Sequence, residues 1–218
     1  MPAGVVLAGG RSTRFGEADK AVADLAGVPM LRRVADRLAG VVDVLVVNCR
    51  ADQREEVAEV LSSYDRPVRF AVDTDPDEGP MAGIRTGLRE VEATTEEYAF
   101  VTACDMPFLD PGLVDYLLGC AKNPDDEAPQ TGTADRYDAA VPRPTEWFET
   151  THAVYRAGPM ADACDEALLA GERKIIEPLF ELDFVAVGEE DLADFDAESF
   201  ESVDTPEEFT AAEERLGD

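Results

Sequence analysis

Short apolar runs alternate along the chain with longer segments in which apolar residues recur at helical spacing. The first run covers residues 5–8, and segment 29–39 then carries Met30, Val34 and Leu38 on one helical face. The pattern predicts strands at 5–8, 44–47, 68–72, 98–102, 139–141, 153–155 and 184–187. It predicts helices at 29–39, 53–61, 81–91, 113–121, 161–169 and 175–182, and a last helix capped by Thr205 with Pro206 at its first position.

Buried strands that are separated by helices need crossover connections, which pair the strands in parallel and cover both faces of the sheet. Segment 123–135 is polar and rich in Pro, Gly and Asp, and predicts an exposed loop. No linker is long enough to separate two domains. We therefore expect one α/β domain over residues 1–218, with a doubly wound, mostly parallel, Rossmann-like sheet and helices on both faces.

The charge excludes several classes of partner. The chain has 48 Asp and Glu against 19 Lys and Arg, a formal net charge of −29. Such a protein is repelled by nucleic-acid backbones and anionic membrane surfaces, so we expect neither as a partner. The apolar runs are shorter than the roughly 20 residues of a membrane span, and no basic segment of a signal peptide precedes the first run. A cytoplasmic location is expected.

The acids are spread along the whole chain, and only Lys20, Lys122 and Lys174 are lysines. Dispersed carboxylates with little lysine are typical of cytoplasmic proteins from high-salt organisms, in which salt screens the self-repulsion. A specific basic partner, the alternative, would favour clustered acids. The cysteines are widely spaced, so we expect neither a disulfide nor a zinc site.

The residues after the first apolar run are suited to binding phosphate. Gly9 and Gly10 follow the predicted strand directly, so the backbone can turn tightly and direct several N–H groups at one point. Arg11, Arg14 and Lys20 add three cations to this part of an acidic chain. The segment matches neither the P-loop nor the dinucleotide glycine pattern. A plain glycine turn would not explain why one of three lysines lies here.

A second motif, Cys104-Asp105-Met106-Pro107, follows the strand predicted at 98–102. Open α/β sheets bind ligands outside the carboxyl ends of their strands, so Asp105 should face the same crevice as the glycine loop. A carboxylate opposite a phosphate site is suited to holding Mg²⁺. The alternative is that Asp105 caps the helix that begins near Pro111.

Three segments together resemble the molybdenum cofactor guanylyltransferases, within the wider nucleotidyltransferase superfamily. They are L-A-G-G-x-S-x-R-F-G-x-x-x-K at 7–20, G-P-M-A-G-I at 79–84 and C-D-M-P-F at 104–108. Segments 46–50, 170–174 and 200–208 also fall in the family's order, so the resemblance covers nearly the whole chain. It implies a nucleotide-binding half, residues 1–122, and an acceptor-binding half, residues 123–218.

The resemblance implies that the terminal phosphate of molybdopterin attacks the α-phosphorus of GTP, Mg²⁺-pyrophosphate leaves, and molybdopterin guanine dinucleotide forms. It also implies transient contact with molybdoenzymes or cofactor carriers. Arg14, Lys20 and Asp105 are the expected catalytic residues, because phosphoryl chemistry needs positioning and charge neutralisation. The resemblance implies nucleotide binding by Leu7, Ala8, Gly9, Gly10, Lys20, Asn48, Asp73 and Asp105, with Asp105 also as the metal ligand.

Two of these nucleotide residues have other interpretations. Asn48, at the end of a strand, is suited either to a base edge or to a turn. Asp73 lies in an acidic run with Asp75 and Asp77, any of which is also suited to simple solvation.

The acceptor half departs from the family. Glu149-Thr150-Thr151 precedes His152, where family members commonly have a Q-P-L-H-A-x-Y-like stretch. Ser202 and Asp204 replace the asparagines of F-x-N-x-N-T-P. Arg173 and Lys174 suit either an acceptor phosphate or a charge pair at a helix end.

These departures concern the acceptor more than the nucleotide, and alternatives stay open. They are a cytidylyltransferase for the same pterin, a guanylyltransferase acting on cobinamide phosphate or phospholactate, and a non-catalytic nucleotide-binding partner of molybdoenzymes.

Overall fold

The computed structural model describes residues 1–10, 19–73, 79–122 and 136–217, in which strands and helices alternate. The strands are β1 (Ala3–Leu7), β2 (Asp24–Leu25), β3 (Val28–Pro29), β4 (Val44–Arg50), β5 (Val68–Asp73), β6 (Tyr98–Ala103), β7 (Ala139–Arg143), β8 (His152–Arg156) and β9 (Phe184–Gly188). The helices are α1 (Met30–Leu38), α2 (Arg54–Val60), α3 (Pro80–Glu92), α4 (Pro111–Lys122), α5 (Ala157–Leu169), α6 (Ile176–Leu179), α7 (Glu189–Leu192) and α8 (Pro206–Gly217). Two 3₁₀ turns cover Lys20–Val22 and Ala197–Phe200.

A seven-stranded sheet runs through these ranges in the order β5-β4-β1-β6-β8-β7-β9. β1 pairs in parallel with β4 and β6, β4 with β5, and β7 with β9. β8 is antiparallel to both of its neighbours, β6 and β7, so these two neighbours point in the same direction. All the strands of this sheet except β8 therefore end at one edge, which we call the carboxyl edge. The predicted doubly wound, mostly parallel fold is confirmed.

Successive residues of each strand face two separate apolar cores. On β1, Val5 packs on the side of α3 and α5, whereas Val6 packs on the side of α1, α2 and α4. Both are fully buried. Burial of such a side chain stabilises the fold by roughly 1.5–3 kcal/mol. Helices cover both faces of the sheet, which explains why its strands read as continuous apolar runs.

A third, smaller core lies beside the carboxyl edge. Leu25 of β2 and Met30 at the start of α1 pack there with Phe108, Val203 and Ala212. This cluster holds α8 and the segment before it against the loop that follows β6. As predicted, α8 begins after its Thr cap: the Thr205 hydroxyl accepts a hydrogen bond from the backbone N–H of Glu208 at 3.2 Å.

The sequence pattern did not predict the shortest elements. The hairpin strands β2 and β3 have two residues each and α7 has four, too few to repeat a pattern. The helix predicted at 175–182 is the single turn α6, after which Leu182 still donates to the carbonyl of Leu179 at 3.2 Å. The loop predicted at 123–135 lies outside the described residues. Among the described helices, none is long and apolar enough to cross a membrane.

Candidate active site

The carboxyl ends of β1 and β6 lie side by side at the topological switch point, where the strand order of the sheet reverses. The chain goes from β1 to β4 and β5 on one side, and then returns to β6 on the other side of β1. The backbone N–H of Ala8 donates to Asn48 O at 2.8 Å, and that of Cys104 donates to Leu7 O at 3.1 Å. Open α/β sheets bind ligands at such a switch point. The loops that follow β1 and β6 therefore face one crevice.

Lys20 lies at this crevice between two carboxylates. Its Nζ is 2.7 Å from Oδ2 of Asp105 and 2.7 Å from Oδ1 of Asp204, and the residue is only 6% exposed. Burial alone would lower the pKa of the ammonium, but the hydrogen bonds to Asp105 and Asp204 outweigh this effect and leave the pKa raised. A lasting positive charge therefore stands beside the end of β6.

The role of Asp105 as a helix cap is excluded by these contacts. Asp110, not Asp105, accepts a hydrogen bond from the N–H of Gly112 at the start of α4, at 2.8 Å. The Asp105 carboxylate is directed at Lys20 instead. Asp204 was expected on the acceptor side, as a departure from the F-x-N-x-N-T-P motif, but the fold brings it to Lys20, 184 residues away along the chain.

Asp19 fixes the position of Lys20. One of its carboxylate oxygens accepts a hydrogen bond from the N–H of Ala21 at 3.0 Å and caps the 3₁₀ turn. The other is held by Arg50 at 3.2 Å and by the amide of Gln53. Lys20 is thus anchored to the end of β4 and the start of α2.

The same two side chains hold the glycine loop. Arg50 Nη1 donates to the carbonyls of Gly9 and Gly10 at 3.1 Å and 3.0 Å, and Gln53 Nε2 donates to Ala8 O at 3.1 Å. The loop carbonyls are therefore satisfied by Arg50 and Gln53, and the backbone is held in a fixed turn. Gln53 was not singled out from the sequence, and Arg50 was noted only as the last residue of the family segment 46–50, since only the fold brings these side chains to the loop.

Asn48 lies in the narrow space between this loop and α3, which we call the Asn48 pocket. It is 2% exposed, and its Nδ2 donates to Ala71 O at 3.1 Å and to Asp73 Oδ1 at 2.7 Å. A Cβ atom on Gly9 would lie 2.8 Å from Asp73 Oδ2, and one on Gly83 would lie 2.6 Å from Asn48 Oδ1. A side chain at position 83 would displace the buried Asn48 amide, and one at position 9 would displace the end of the Asp73 side chain. Asn48 is not a turn residue, because it lies within β4. The protein uses both hydrogens of its amide, so only Oδ1 remains for a base edge.

Nearly all the predicted site residues come together at this edge. Leu7 ends β1, and its side chain lies close to Gly83: a Cβ atom there would be 3.6 Å from Leu7 Cδ2. The other predicted residues within the described ranges are Ala8, Gly9, Gly10, Lys20, Asn48, Asp73 and Asp105. Arg14, the third predicted catalytic residue, lies outside the described residues.

The acceptor-side residues have different surroundings. His152 is fully buried in the sheet, and burial lowers the pKa of its imidazole to about 3. It therefore belongs to the core. Arg173 and Lys174 lie in the exposed turn between α5 and α6.

That turn reaches the carboxyl edge, because α5 is antiparallel to α3. Arg89 pairs with Asp162 at 2.6 Å, and Arg85, one turn earlier on α3, pairs with Asp165 at 3.6 Å. The C-terminal end of α5 therefore lies beside the start of α3. The start of α3 carries Gly83, so the turn after α5 lies on the side of the Asn48 pocket.

A mostly parallel sheet with a glycine loop, a buried lysine and converging carboxylates at its switch point defines a nucleotidyltransferase fold. The chain belongs to the family of the MobA-like NTP transferase domain, whose model matches residues 4–184. This match confirms the family resemblance that the sequence motifs indicated.

Full-length relatives agree with this assignment. A probable molybdenum cofactor guanylyltransferase of Natronomonas pharaonis is 52% identical, over 98% of this chain and 97% of that protein. Another of the same name, from Haloferax mediterranei, is 39% identical over 98% and 93% of the two chains. The solved structure of molybdopterin-guanine dinucleotide biosynthesis protein A from Archaeoglobus fulgidus is 29% identical with a TM-score of 0.74, over 99% of this chain and 98% of that one.

Proposed function

We propose that this protein transfers GMP from GTP to the terminal phosphate of molybdopterin and releases pyrophosphate. The observation that carries the proposal is the group formed by Lys20, Asp105 and Asp204 beside the glycine loop. The names of the relatives from Natronomonas pharaonis and Haloferax mediterranei support guanylyl transfer onto the molybdenum cofactor.

The nucleotide binds across the carboxyl ends of β1 and β4 in this proposal. Leu7, Ala8, Gly9 and Gly10 form its backbone wall, and Asn48 and Asp73 contact the nucleotide, as expected from the sequence. We place the nucleoside at these two side chains. The support is steric: Gly9 and Gly83 let the backbone approach the Asp73 carboxylate and the Asn48 amide more closely than a residue with a side chain would allow. A rigid pocket of this kind favours transfer by holding the α-phosphorus in line with the acceptor.

Mg²⁺ belongs to the proposal because the side chains at the switch point fit it. Mg²⁺ prefers oxygen ligands and is commonly held by one or two carboxylates together with substrate phosphates and water. Asp105 Oδ2 and Asp204 Oδ1 bind the Lys20 ammonium, so an ion would lie beside the ammonium and bind the other oxygen of the Asp105 carboxylate. Within the described ranges no group of three or more acidic, His or Cys side chains could form a larger cage. Asp105, with Asp204 beside it, would hold the ion, which when bound would neutralise charge on the phosphates.

Lys20 supplies the protein's own positive charge. Since its pKa is raised, the ammonium keeps its proton at neutral pH and can stabilise the negative charge that collects on the leaving pyrophosphate. Arg14 is proposed to contribute to the same charge neutralisation. The attacking phosphate is already ionised near neutral pH, so a general base is not needed.

Arg173 and Lys174 are the proposed contacts for the acceptor phosphate. Both are exposed in the turn that follows α5, on the side of the Asn48 pocket. In a chain with a net charge of −29, two adjacent cations at this edge favour an anionic ligand.

The cellular setting completes the proposal: a cytoplasmic, salt-adapted enzyme in transient contact with molybdoenzymes or cofactor carriers. The relative from Natronomonas pharaonis comes from a halophile, which supports the interpretation of the acidic composition. The dispersed acids and the scarcity of lysine support it independently.

Pyrophosphate release tests the proposal. The assay contains molar KCl, Mg²⁺ and one of three acceptors (molybdopterin, cobinamide phosphate or phospholactate), with GTP or CTP supplied in turn. Release with GTP and molybdopterin alone is expected. Release with CTP, or with another acceptor, would assign the protein to one of the related transferases. GTP binding without any turnover would favour a non-catalytic partner.

A further inference from the structure

We propose that His152 is a positioning residue of the active site, acting through a buried chain of hydrogen bonds that reaches both loops around Lys20. The inference rests on the proposed function, since the loops in question carry Asp105 and Asp204. His152 does not itself touch the phosphates or the metal in this account.

The imidazole of His152 connects two elements that are far apart in the chain. Nδ1 is 3.1 Å from Oγ1 of Thr102 on β6, and Nε2 is 3.4 Å from Oγ of Ser199 in the 3₁₀ turn before α8. The rings of Phe100 and Phe200 contact it edge-on, with centroids at 5.0 Å and 5.4 Å. The ring is therefore enclosed by apolar groups and bonded at both nitrogens.

The neighbouring hydrogen bonds favour one protonation state. The Ser199 hydroxyl accepts from the backbone N–H of Asp110 at 2.9 Å and can donate to Nε2. The Thr102 hydroxyl donates to the sulfur of Met106 at 3.6 Å and can accept from Nδ1. If the ring is neutral and carries its proton on Nδ1, every donor in this chain of four contacts, from the Asp110 N–H to the Met106 sulfur, has one acceptor. The network therefore suits a neutral histidine.

Each end of this network leads to a carboxylate of the Lys20 group. Met106 follows Asp105 directly, and Ser199 lies five residues before Asp204. The two loops also bind each other, because the N–H of Val203 donates to the carbonyl of Asp105 at 2.9 Å. A shift at His152 should therefore change the spacing of the two carboxylates that hold Lys20.

Two substitutions separate the two ends of the network. His152→Gln keeps an amide near the position of Nε2, within reach of Ser199, whereas His152→Asn keeps one near Nδ1, within reach of Thr102. Tyr155→Phe is the matched control. It removes a partly buried hydrogen bond of a residue on the same strand, from the Tyr155 hydroxyl to Thr150 O at 2.8 Å, on the opposite face of the sheet.

We expect His152→Asn to lower kcat for guanylyl transfer about tenfold. The variant loses the contact with Ser199, which holds the loop that carries Asp204 beside Lys20. KM for GTP should change by a smaller factor than kcat, since the contacts at Asn48 lie on the other face of the sheet and are kept. His152→Gln should recover most of kcat, and Tyr155→Phe should lower the melting temperature and leave kcat unchanged. If kcat in all three variants simply followed their loss of stability, the positioning role would be wrong.

Hydrogen exchange at two amides gives a readout that needs no turnover. The N–H groups of Val203 and Asp110 should exchange faster in His152→Asn than in Tyr155→Phe at equal global stability. Equal exchange in both variants would overturn the inference. If the wild-type protein made no guanylylated pterin, the proposed function would fail, whereas the exchange result would still decide whether His152 holds these loops together.

Discussion

Lowering the pH from about 7 to about 5 should destabilise the folded protein through His152, the only histidine in the chain. Burial lowers its pKa in the folded protein to about 3, from 6.5 for an ordinary histidine. Between these two values the unfolded chain takes up a proton that the folded protein does not. The contribution of the neutral ring is therefore present in full above the unfolded pKa and is lost as the pH falls below it.

The size of the effect follows from the two pKa values. At about pH 5 the unfolded histidine is almost fully protonated and the folded one is not, so the free energy of unfolding falls by about 2 kcal/mol relative to pH 7. This figure changes little with the folded pKa as long as that value lies well below 5. The ring is completely buried, so screening by solvent does not reduce the effect.

Urea unfolding at constant molar KCl measures this quantity. The free energy of unfolding is measured by urea titration at both pH values, for the wild type and for His152→Gln. The many carboxylates contribute equally to the pH dependence of both proteins, so the difference between the two decreases in this free energy isolates His152. We expect the wild type to lose about 2 kcal/mol more than the variant. Equal losses would show that the His152 ring is accessible to protons in the folded state, and would refute its place in the core.

Other predictions concern the site and the surface. Lys20→Ala should lower kcat by about a hundredfold or more with the fold retained, because the charge beside the phosphates is removed; steady-state kinetics and circular dichroism test this. Asp105→Ala should abolish Mg²⁺-dependent turnover, and near-normal turnover in a Mg²⁺ titration would contradict the metal assignment. Gly83→Ala should raise KM for GTP about tenfold by displacing the Asn48 amide, whereas Gly119→Ala, whose Cβ meets open space on α4, should not. Transfer from molar to low millimolar KCl should unfold the protein, as followed by circular dichroism, because self-repulsion is then unscreened.

The long elements of the fold were predictable because each repeats its pattern several times. β4 shows a continuous apolar run, and α3 shows apolar residues at helical spacing. The β2–β3 hairpin was not predictable, because Ala26 and Gly27 turn at positive φ within a segment that has only two residues on each side. The third core, which seats α8 beside the site, depends on this hairpin.

The site was predictable where a residue directly follows a strand. Lys20 and Asp105 were found because their motifs follow β1 and β6, and sheet topology brings such positions together. Asp204 was noticed only as a departure from the family's F-x-N-x-N-T-P motif and was expected near the acceptor, since only the tertiary fold shows that it lies beside Lys20. His152 was expected near the acceptor. In the structure it pairs with Thr102 of β6, and its side chain is fully buried. The face of the sheet on which a residue of a short strand lies depends on how that strand pairs with its neighbour, and the motif does not specify this register.

The most direct test of the proposed function is to follow the α-phosphorus of GTP. The protein is incubated at molar KCl with Mg²⁺, molybdopterin and GTP labelled at that atom, and the products are separated and weighed by mass spectrometry. The label should appear in a pterin that has gained one GMP, in step with pyrophosphate release, and Asp105→Ala should give none. Label that stays in GTP, or leaves as free GMP without a pterin product, would contradict guanylyl transfer to molybdopterin.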